Sequence, residues 1–329
     1  MSRRSVAPLV LAVGLAGPAL AAPPPIRLHL PLACQPGQTC FIQQYFDHDP
    51  GPGAKDYRCG SMTYQGHDGT DFRIPTMAAQ RAGVAVLAAA DGTVTALRDG
   101  MADISVAVTG SAAVAGRECG NGVILSHPGG WQTQYCHMAK GSVRVTKDQA
   151  VKAGQALGQV GESGDAAFPH LHLNVIENGA KVDPFAFGAP VGACRAGASL
   201  WAPEAARALA YTSPELINRG FTDGAVSMDD IEEGRTQARA PTSASPAIVA
   251  FVRAIGLSGG DVLALQMTGP GGLAVNGAPQ TLDRDKAQWM MFSGSKRPAG
   301  GWPRGVYRGR FTVRRAGVLV LDQGFELRL

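Results

Sequence analysis

Charge is scarce in this sequence: Asp, Glu, Lys and Arg make up 17% of its residues, and aromatic side chains only 6%. So little charge disfavours a charged disordered chain or a coiled coil, both of which rely on dense Glu, Lys and Arg. No C-x-x-C pair occurs, which removes support for a zinc ribbon or a thioredoxin-like site. No H-E-x-x-H occurs either, so a metalloprotease that takes its general base from that helix is disfavoured. Long apolar runs are missing too. The weakly apolar stretch Ser5–Leu20 is interrupted by Pro8 and Pro18 and falls short of the about 20 residues a membrane-spanning helix needs. No internal repeat is evident. Glycine is abundant, with 43 residues beside 22 prolines, a mixture suited to compact folds with many turns. The length of 329 residues allows about two domains, each able to bury its own core.

Arg3 and Arg4 precede the Ser5–Leu20 stretch, which ends in Ala19-Leu20-Ala21 ahead of Pro23, Pro24 and Pro25. A positive start, an apolar middle and an A-x-A end are the pattern of a cleaved secretory signal. Residues 1–21 therefore read as a leader, and the protein as exported to the periplasm or beyond, with no stable membrane span. The formal net charge of +4 shrinks accordingly: two of the 30 basic residues lie in the leader, leaving 28 against 26 acidic ones. Seven more (Lys296, Arg297, Arg304, Arg308, Arg310, Arg314 and Arg315) fall in one segment that contains no acid. The rest of the chain is acidic on balance, so the basicity carries no nucleic-acid inference. The basic segment reads as a solvated sheet face, or as a contact for an anionic surface.

Six cysteines, Cys34, Cys40, Cys59, Cys119, Cys136 and Cys194, suit disulfides in an exported protein. All precede residue 195. Cys119 and Cys136 flank an apparent hairpin, Gly122–Leu125 and Trp131–Tyr135, and come nearly opposite each other, which favours that bridge; the other pairings stay open.

From about Cys40 to Phe187 the chain reads as short strands between glycine turns, an antiparallel all-β pattern. Val84–Ala90, a tight turn at Asp91-Gly92, and Thr93–Leu97 read as a strand, turn and returning strand. Gly100–Gly116 is a small-residue insertion, read as a loop or strand extension. Pro203–Tyr211 reads as a short helix, Asp229–Glu233 as an acidic helical turn, and Ala238–Pro246 as a linker. Strand-like runs follow at 248–255, 262–267, 273–275, 288–292, 306–313, 318–321 and 325–329, a spacing that implies a small β-sandwich of roughly immunoglobulin-like class. The expected domains are 22–199, a stapled β domain; 200–246, short helices and linker; and 247–329, the sandwich.

Histidine is rare, seven residues in all, and four of them fall in three tight motifs. The first is Gly66-His67-Asp68-Gly69-Thr70-Asp71, in which an imidazole and a carboxylate, both good zinc ligands, flank a glycine that lets the backbone bend. The second is His170-Leu171-His172, where strand alternation puts His170, His172 and Asn174 on one face and Leu171, Leu173 and Val175 on the other. The third is Tyr135-Cys136-His137, where the same rule places Tyr135 with His137. His29, His48 and His127 have no such partners and read as structural or surface residues.

In order and surroundings these motifs resemble the LytM/lysostaphin-type zinc endopeptidases, which cleave peptide cross-links of bacterial peptidoglycan. The resemblance runs from about Tyr64 to Pro184. It takes in His67-Asp-Gly-Thr-Asp71, Ala90-Asp-Gly-Thr-Val94, Gly120-Asn-Gly-Val-Ile-Leu-Ser-His127, Tyr135-Cys-His137, Gly161-Glu-Ser-Gly164 and Pro169-His170-Leu-His172. It implies that His67, Asp71 and His172 bind one zinc ion, and that His137 and His170 are non-ligand catalytic histidines. Three protein ligands leave a fourth position for water, as at a catalytic zinc. The implied substrate is peptidoglycan peptide. Phe168, just before the last motif, and the Gly100–Gly116 insertion depart from compact members and would reshape the substrate groove. Two other readings compete: a wall-binding activator module of the kind formed by relatives that have lost ligands, and a zinc protease for extracellular proteins. The filled ligand and catalytic positions favour the peptidoglycan enzyme.

Overall fold

The computed structural model describes residues 25–329, and the leader assigned to residues 1–21 lies outside them. Ten short strands build the first unit: β1 (Phe41–Gln44), β2 (Thr70–Arg73), β3 (Ala85–Leu87), β4 (Gly92–Arg98), β5 (Asn121–Ser126), β6 (Trp131–Met138), β7 (Ala150–Val151), β8 (Ala156–Gln159), β9 (His170–Glu177) and β10 (Ala180–Val182). Eight form one antiparallel sheet in the order β1-β2-β9-β6-β5-β4-β7, with β10 added to β9, while β3 and β8 make a separate ribbon. Alternation in β9 acts as the sequence implies. Leu171, Leu173 and Val175 are fully buried in a core shared with Phe72, Tyr135 and Leu125.

The strand, turn and returning strand expected at 84–97 do not pair with each other. β3 pairs with β8, and β4 with β5 and β7. The N-terminal segment takes the place beside β3: Leu87 N–H donates to Pro31 O (2.7 Å), and His29 N–H donates to Ala89 O (2.7 Å). The Gly100–Gly116 insertion is neither a simple loop nor a strand. After α1 (Met77–Ala82), it folds into a helical turn, α2 (Val106–Thr109), and a 3₁₀ turn at Ser111–Val114. Three disulfides staple the unit: Cys34–Cys40, Cys59–Cys194 and the expected Cys119–Cys136. No described helix is long and apolar enough to cross a membrane.

Helix α3 (Pro203–Ala208) packs Ala205 and the following Leu209 into the first core. The stretch read as helices and linker, 200–246, also holds an unexpected strand, β11 (Glu215–Thr222), and α4 (Met228–Glu233). Asn218, Arg219 and Gly220 interrupt the apolar alternation of β11 and hide it from a pattern search. A reciprocal capping box starts α4: the Ser227 side chain accepts from Asp230 N–H, and the Asp230 carboxylate accepts from Ser227 N–H.

The remaining strands are β12 (Ala247–Leu257), β13 (Val262–Gly269), β14 (Leu273–Asn276), β15 (Gln280–Thr281), β16 (Lys286–Lys296), β17 (Val306–Arg315) and β18 (Val318–Arg328). One sheet is β11-β12-β16, and the other is β14-β13-β17-β18 with β15 on β13. Lettered in chain order, these are A-B-E against C′-C-F-G, the order of an immunoglobulin-type sandwich. Near the start of the F strand, Tyr307 OH donates to Pro303 O (2.8 Å), the geometry of a tyrosine corner. The sandwich thus begins with β11 rather than at residue 247, and α4 sits in its A–B connection. On β17, Tyr307, Phe311 and Val313 point inward, but the basic face is largely neutralised: Arg308 pairs with Glu326, Arg310 with Asp322, and Arg315 with Asp261.

Glu215, at the start of β11, is a carboxyl pushed by burial from 4.5 to about 7. The folded state therefore holds its proton more tightly than the unfolded chain. Its contribution to stability is complete below pH about 4.5 and declines as pH rises to about 7, by about 2 kcal/mol after allowance for partial exposure. Glu215→Gln is expected to flatten that slope in urea titrations run from pH 4.5 to pH 7.5. An unaltered slope would assign the pH dependence to other groups.

Candidate active site

The sheet register brings the motif residues together. Asp71 on β2 lies opposite His172 on β9, which lies opposite Cys136 on β6; Arg73 lies opposite His170. Directly opposed residues share a face, so Asp71, Arg73, His170 and His172 look out on one side while Phe72 and Leu171 enter the core. His67 arrives from the loop before β2. Its Nδ1 donates to Tyr45 O (2.6 Å), and because a carbonyl only accepts, Nδ1 carries the proton and Nε2 presents a lone pair. That Nε2 lies 3.2 Å from both Asp71 Oδ1 and His172 Nδ1, which are 2.8 Å apart. His67, Asp71 and His172 thus form a three-atom donor cluster able to hold a metal ion. Gly69 is required for this approach, since a Cβ there would meet His172 Nε2 at 2.5 Å.

Burial alone would push the Asp71 carboxyl up, but His67, His170 and His172 outweigh it and hold it well below the usual carboxylate range. Burial would likewise lower His172, yet Asp68 and Asp71 raise it to about 9. The cluster as a whole therefore favours positive charge at its centre. Asp68, unremarked in the sequence apart from its place in the first motif, lies 3.5 Å from His172 Nε2, and its carboxylate accepts from Asn174 Nδ2 (3.0 Å) and pairs with Lys181.

His137 and His170 flank the cluster, with ring centroids 4.6 Å apart. His137 Nδ1 donates to Ser163 O and His170 Nδ1 donates to Phe168 O, both at 2.8 Å, so each leaves Nε2 as an acceptor. Burial keeps both rings neutral by lowering their pKa, for His137 well below the ordinary value. The expectation that His137 shares a face with Tyr135 fails. Tyr135 enters the core, where its hydroxyl accepts from Ala89 N–H (2.8 Å). His137 has a left-handed φ of 63°, which breaks strand alternation and swings its ring to the side of Cys136 and His172. Its amide is anchored to Cys119 O (2.8 Å), beside the Cys119–Cys136 bridge. Neither the left-handed turn nor the carbonyls of Tyr45, Ser163 and Phe168 could be read from side-chain identity.

His67, His137 and His172 line an open cleft of about 440 Å³ whose walls include Tyr64, Glu118, Gln134 and Asp165. Phe168 is not among its lining residues. The other histidines lie apart: His29 is 3.4 Å from Glu204, His48 pairs with Asp183 (2.7 Å), and His127 is held by Asp91 O and Thr133.

Residues 65–184, which carry every member of this cluster, match peptidase family M23. This segment is an M23 peptidase domain. Curated relatives of the M23 domain include the peptidoglycan DD-endopeptidase ShyA of Vibrio cholerae, 30% identical over 125 residues that cover 38% of this chain and 24% of the relative. The cell division protein DipM of Caulobacter vibrioides is 32% identical over 116 residues, 34% of this chain and 15% of the relative. The chain thus spans a quarter or less of the length of these relatives. Among solved structures, a zinc containing peptidase from Vibrio cholerae is 24% identical, with TM-score 0.30, covering 45% of this chain and 41% of that one.

Proposed function

We propose that the chain is an exported zinc-dependent endopeptidase that hydrolyses peptide bonds of peptidoglycan, with His67, Asp71 and His172 as metal ligands and His137 and His170 as catalytic residues. The observation that carries this is the arrangement of lone pairs: three donor atoms meet at one point, and two neutral imidazoles beside them have their other nitrogen fixed to a carbonyl. The donor set suits zinc. Ligands at about 2.0–2.1 Å in a tetrahedron stand about 3.3 Å apart, and the separations here are 2.8, 3.2 and 3.2 Å. One carboxylate and two imidazoles leave a fourth position open to water or substrate. When bound, zinc lowers the pKa of a water to about 7 and polarises the scissile carbonyl.

This chain's own groups supply the rest. His170 Nε2 lies 3.6 Å from Asp71 Oδ1, so a proton accepted there from the attacking water is stabilised by the carboxylate. His137, held by Ser163 O and Cys119 O, faces the same space and can orient the water by accepting its hydrogen bond at Nε2. The relatives named DD-endopeptidases support a bond between two D-configured residues of a cross-linked stem peptide as the target.

The test is a soluble cross-linked muropeptide dimer incubated with the purified protein and followed by mass spectrometry. Cleavage to monomers is expected, lost with a chelator and restored by added zinc. Cleavage that persists after the metal has been removed would sink the mechanism, and peptide release from purified proteins but never from murein would redirect it to an extracellular protease.

A further inference from the structure

Arg73 and Arg253 each have fully buried side chains, and both pair with Glu232 of α4. Arg73 stands two residues after Asp71, on the strand face that carries the site. Its other nitrogen donates to Gln43 Oε1 (2.6 Å) and to Gln288 Oε1 (3.2 Å) on β16. Arg253 on β12 donates to Asn218 (2.8 Å) and to Pro75 O (2.6 Å), just past β2. The immunoglobulin-type unit thus reaches the site strand with one carboxylate, one amide and one guanidinium.

The contact continues towards the chemistry. The fully buried Arg73 guanidinium carbon is 4.5 Å from the centre of the half-buried Phe168 ring, a cation–π contact. The Phe168 ring centre is in turn 4.5 Å from that of His170 at an interplanar angle of 33°, and Phe168 O accepts from His170 Nδ1–H. Phe168 is therefore placed to fix both the plane and the tautomer of His170.

We propose that the C-terminal unit is a positioning element of the peptidase: Glu232 and Gln288 hold Arg73, Arg73 holds Phe168, and Phe168 holds His170 with Nε2 towards the cluster. This rests on the function proposed above. An imidazole that tilts by a fraction of its ring width loses its line to the reacting water, and displacement of about 1 Å can cost about a hundredfold in rate.

The experiment uses the full chain as Phe168→Leu, Phe168→Tyr and Glu232→Gln, with kcat and KM on the muropeptide dimer, bound zinc, and ¹⁵N shifts of the His170 ring. Phe168→Leu is expected to lower kcat about tenfold with KM and zinc content unchanged, and to move the His170 nitrogen shifts towards a tautomer mixture; Phe168→Tyr restores both. Glu232→Gln is expected to act in the same direction and to be non-additive with Phe168→Leu. Should Glu232→Gln not fold, Gln288→Ala, which loosens the same guanidinium from a half-buried position, carries the link. Unchanged kcat and unchanged ring shifts in Phe168→Leu would overturn the proposal, as would a rise in KM alone, which would make Phe168 a substrate contact. A wild-type chain that cleaves no muropeptide would fail the functional reading, while the His170 shifts would still decide the positioning.

Discussion

Asp71→Ala is expected to lose bound metal and reduce muropeptide cleavage to background, a fall of at least about a thousandfold. The side chain is buried, and its Oδ1 is the one atom in contact with His67, His170 and His172 together. Losing a residue that merely orients a ligand already costs about 10–100-fold, and Asp71 is a proposed ligand that supplies the only carboxylate of the donor set. The fold should survive, because the opposite face of β2 buries Phe72 in the core and needs no metal. His137→Ala makes the contrast: about 10²–10⁴-fold loss of kcat with zinc retained, as befits a group that handles protons. Metal analysis by mass spectrometry beside kinetics separates the two. Retention of zinc and activity by Asp71→Ala would reject the ligand assignment.

Glu232→Ala is expected to destabilise the chain by about 3–5 kcal/mol, because it leaves two buried guanidinium groups without their carboxylate. Arg73 and Arg253 have 0% side-chain exposure, and Glu232 is the only carboxylate paired with either among the described residues. The neighbouring Glu233 is the control. Its pair with Arg81 is far more exposed, and Glu233→Ala should change stability by less than about 1 kcal/mol. Urea denaturation of the three proteins at one pH decides the matter; equal midpoints for Glu232→Ala and Glu233→Ala would show that the buried cluster is not stabilised by its carboxylate.

Most of the site was legible because strand geometry makes side-chain direction a function of position. The alternation in His170-Leu171-His172 placed both imidazoles on one face, and the core on the other. Where the backbone leaves that rule, sequence reading fails. His137 with its left-handed φ is the clearest case: it joins Cys136 and not Tyr135. β11 was hidden because Asn218 faces the first unit, donating to Pro75 O (3.4 Å) and accepting from Arg253, while Arg219 donates to Gln323 of β18, so neither follows the alternation of a solvated strand. The basic segment looked free because its acids, Asp322 and Glu326, come from the next strand and become neighbours only through pairing. Arg73 carried one signal that pattern reading passed over. Its charge needs a partner, and the carboxylates nearest in sequence, Asp68 and Asp71, are already engaged by His67, His172 and Lys181, so the partner, Glu232, comes from far along the chain.

The place of α4 in the A–B connection also sets an order of assembly. The proposed ligands and both proposed catalytic imidazoles have been made by residue 172, and the M23 segment ends at residue 184. Arg73, buried on the face that carries the site, meets its counter-charge only once residue 232 exists, and the same carboxylate serves Arg253. A chain that has emerged only as far as the peptidase segment holds all the reactive groups without the counter-charge of the strand that bears them. The strand that bears the cluster gains its counter-charge only when the tail has folded.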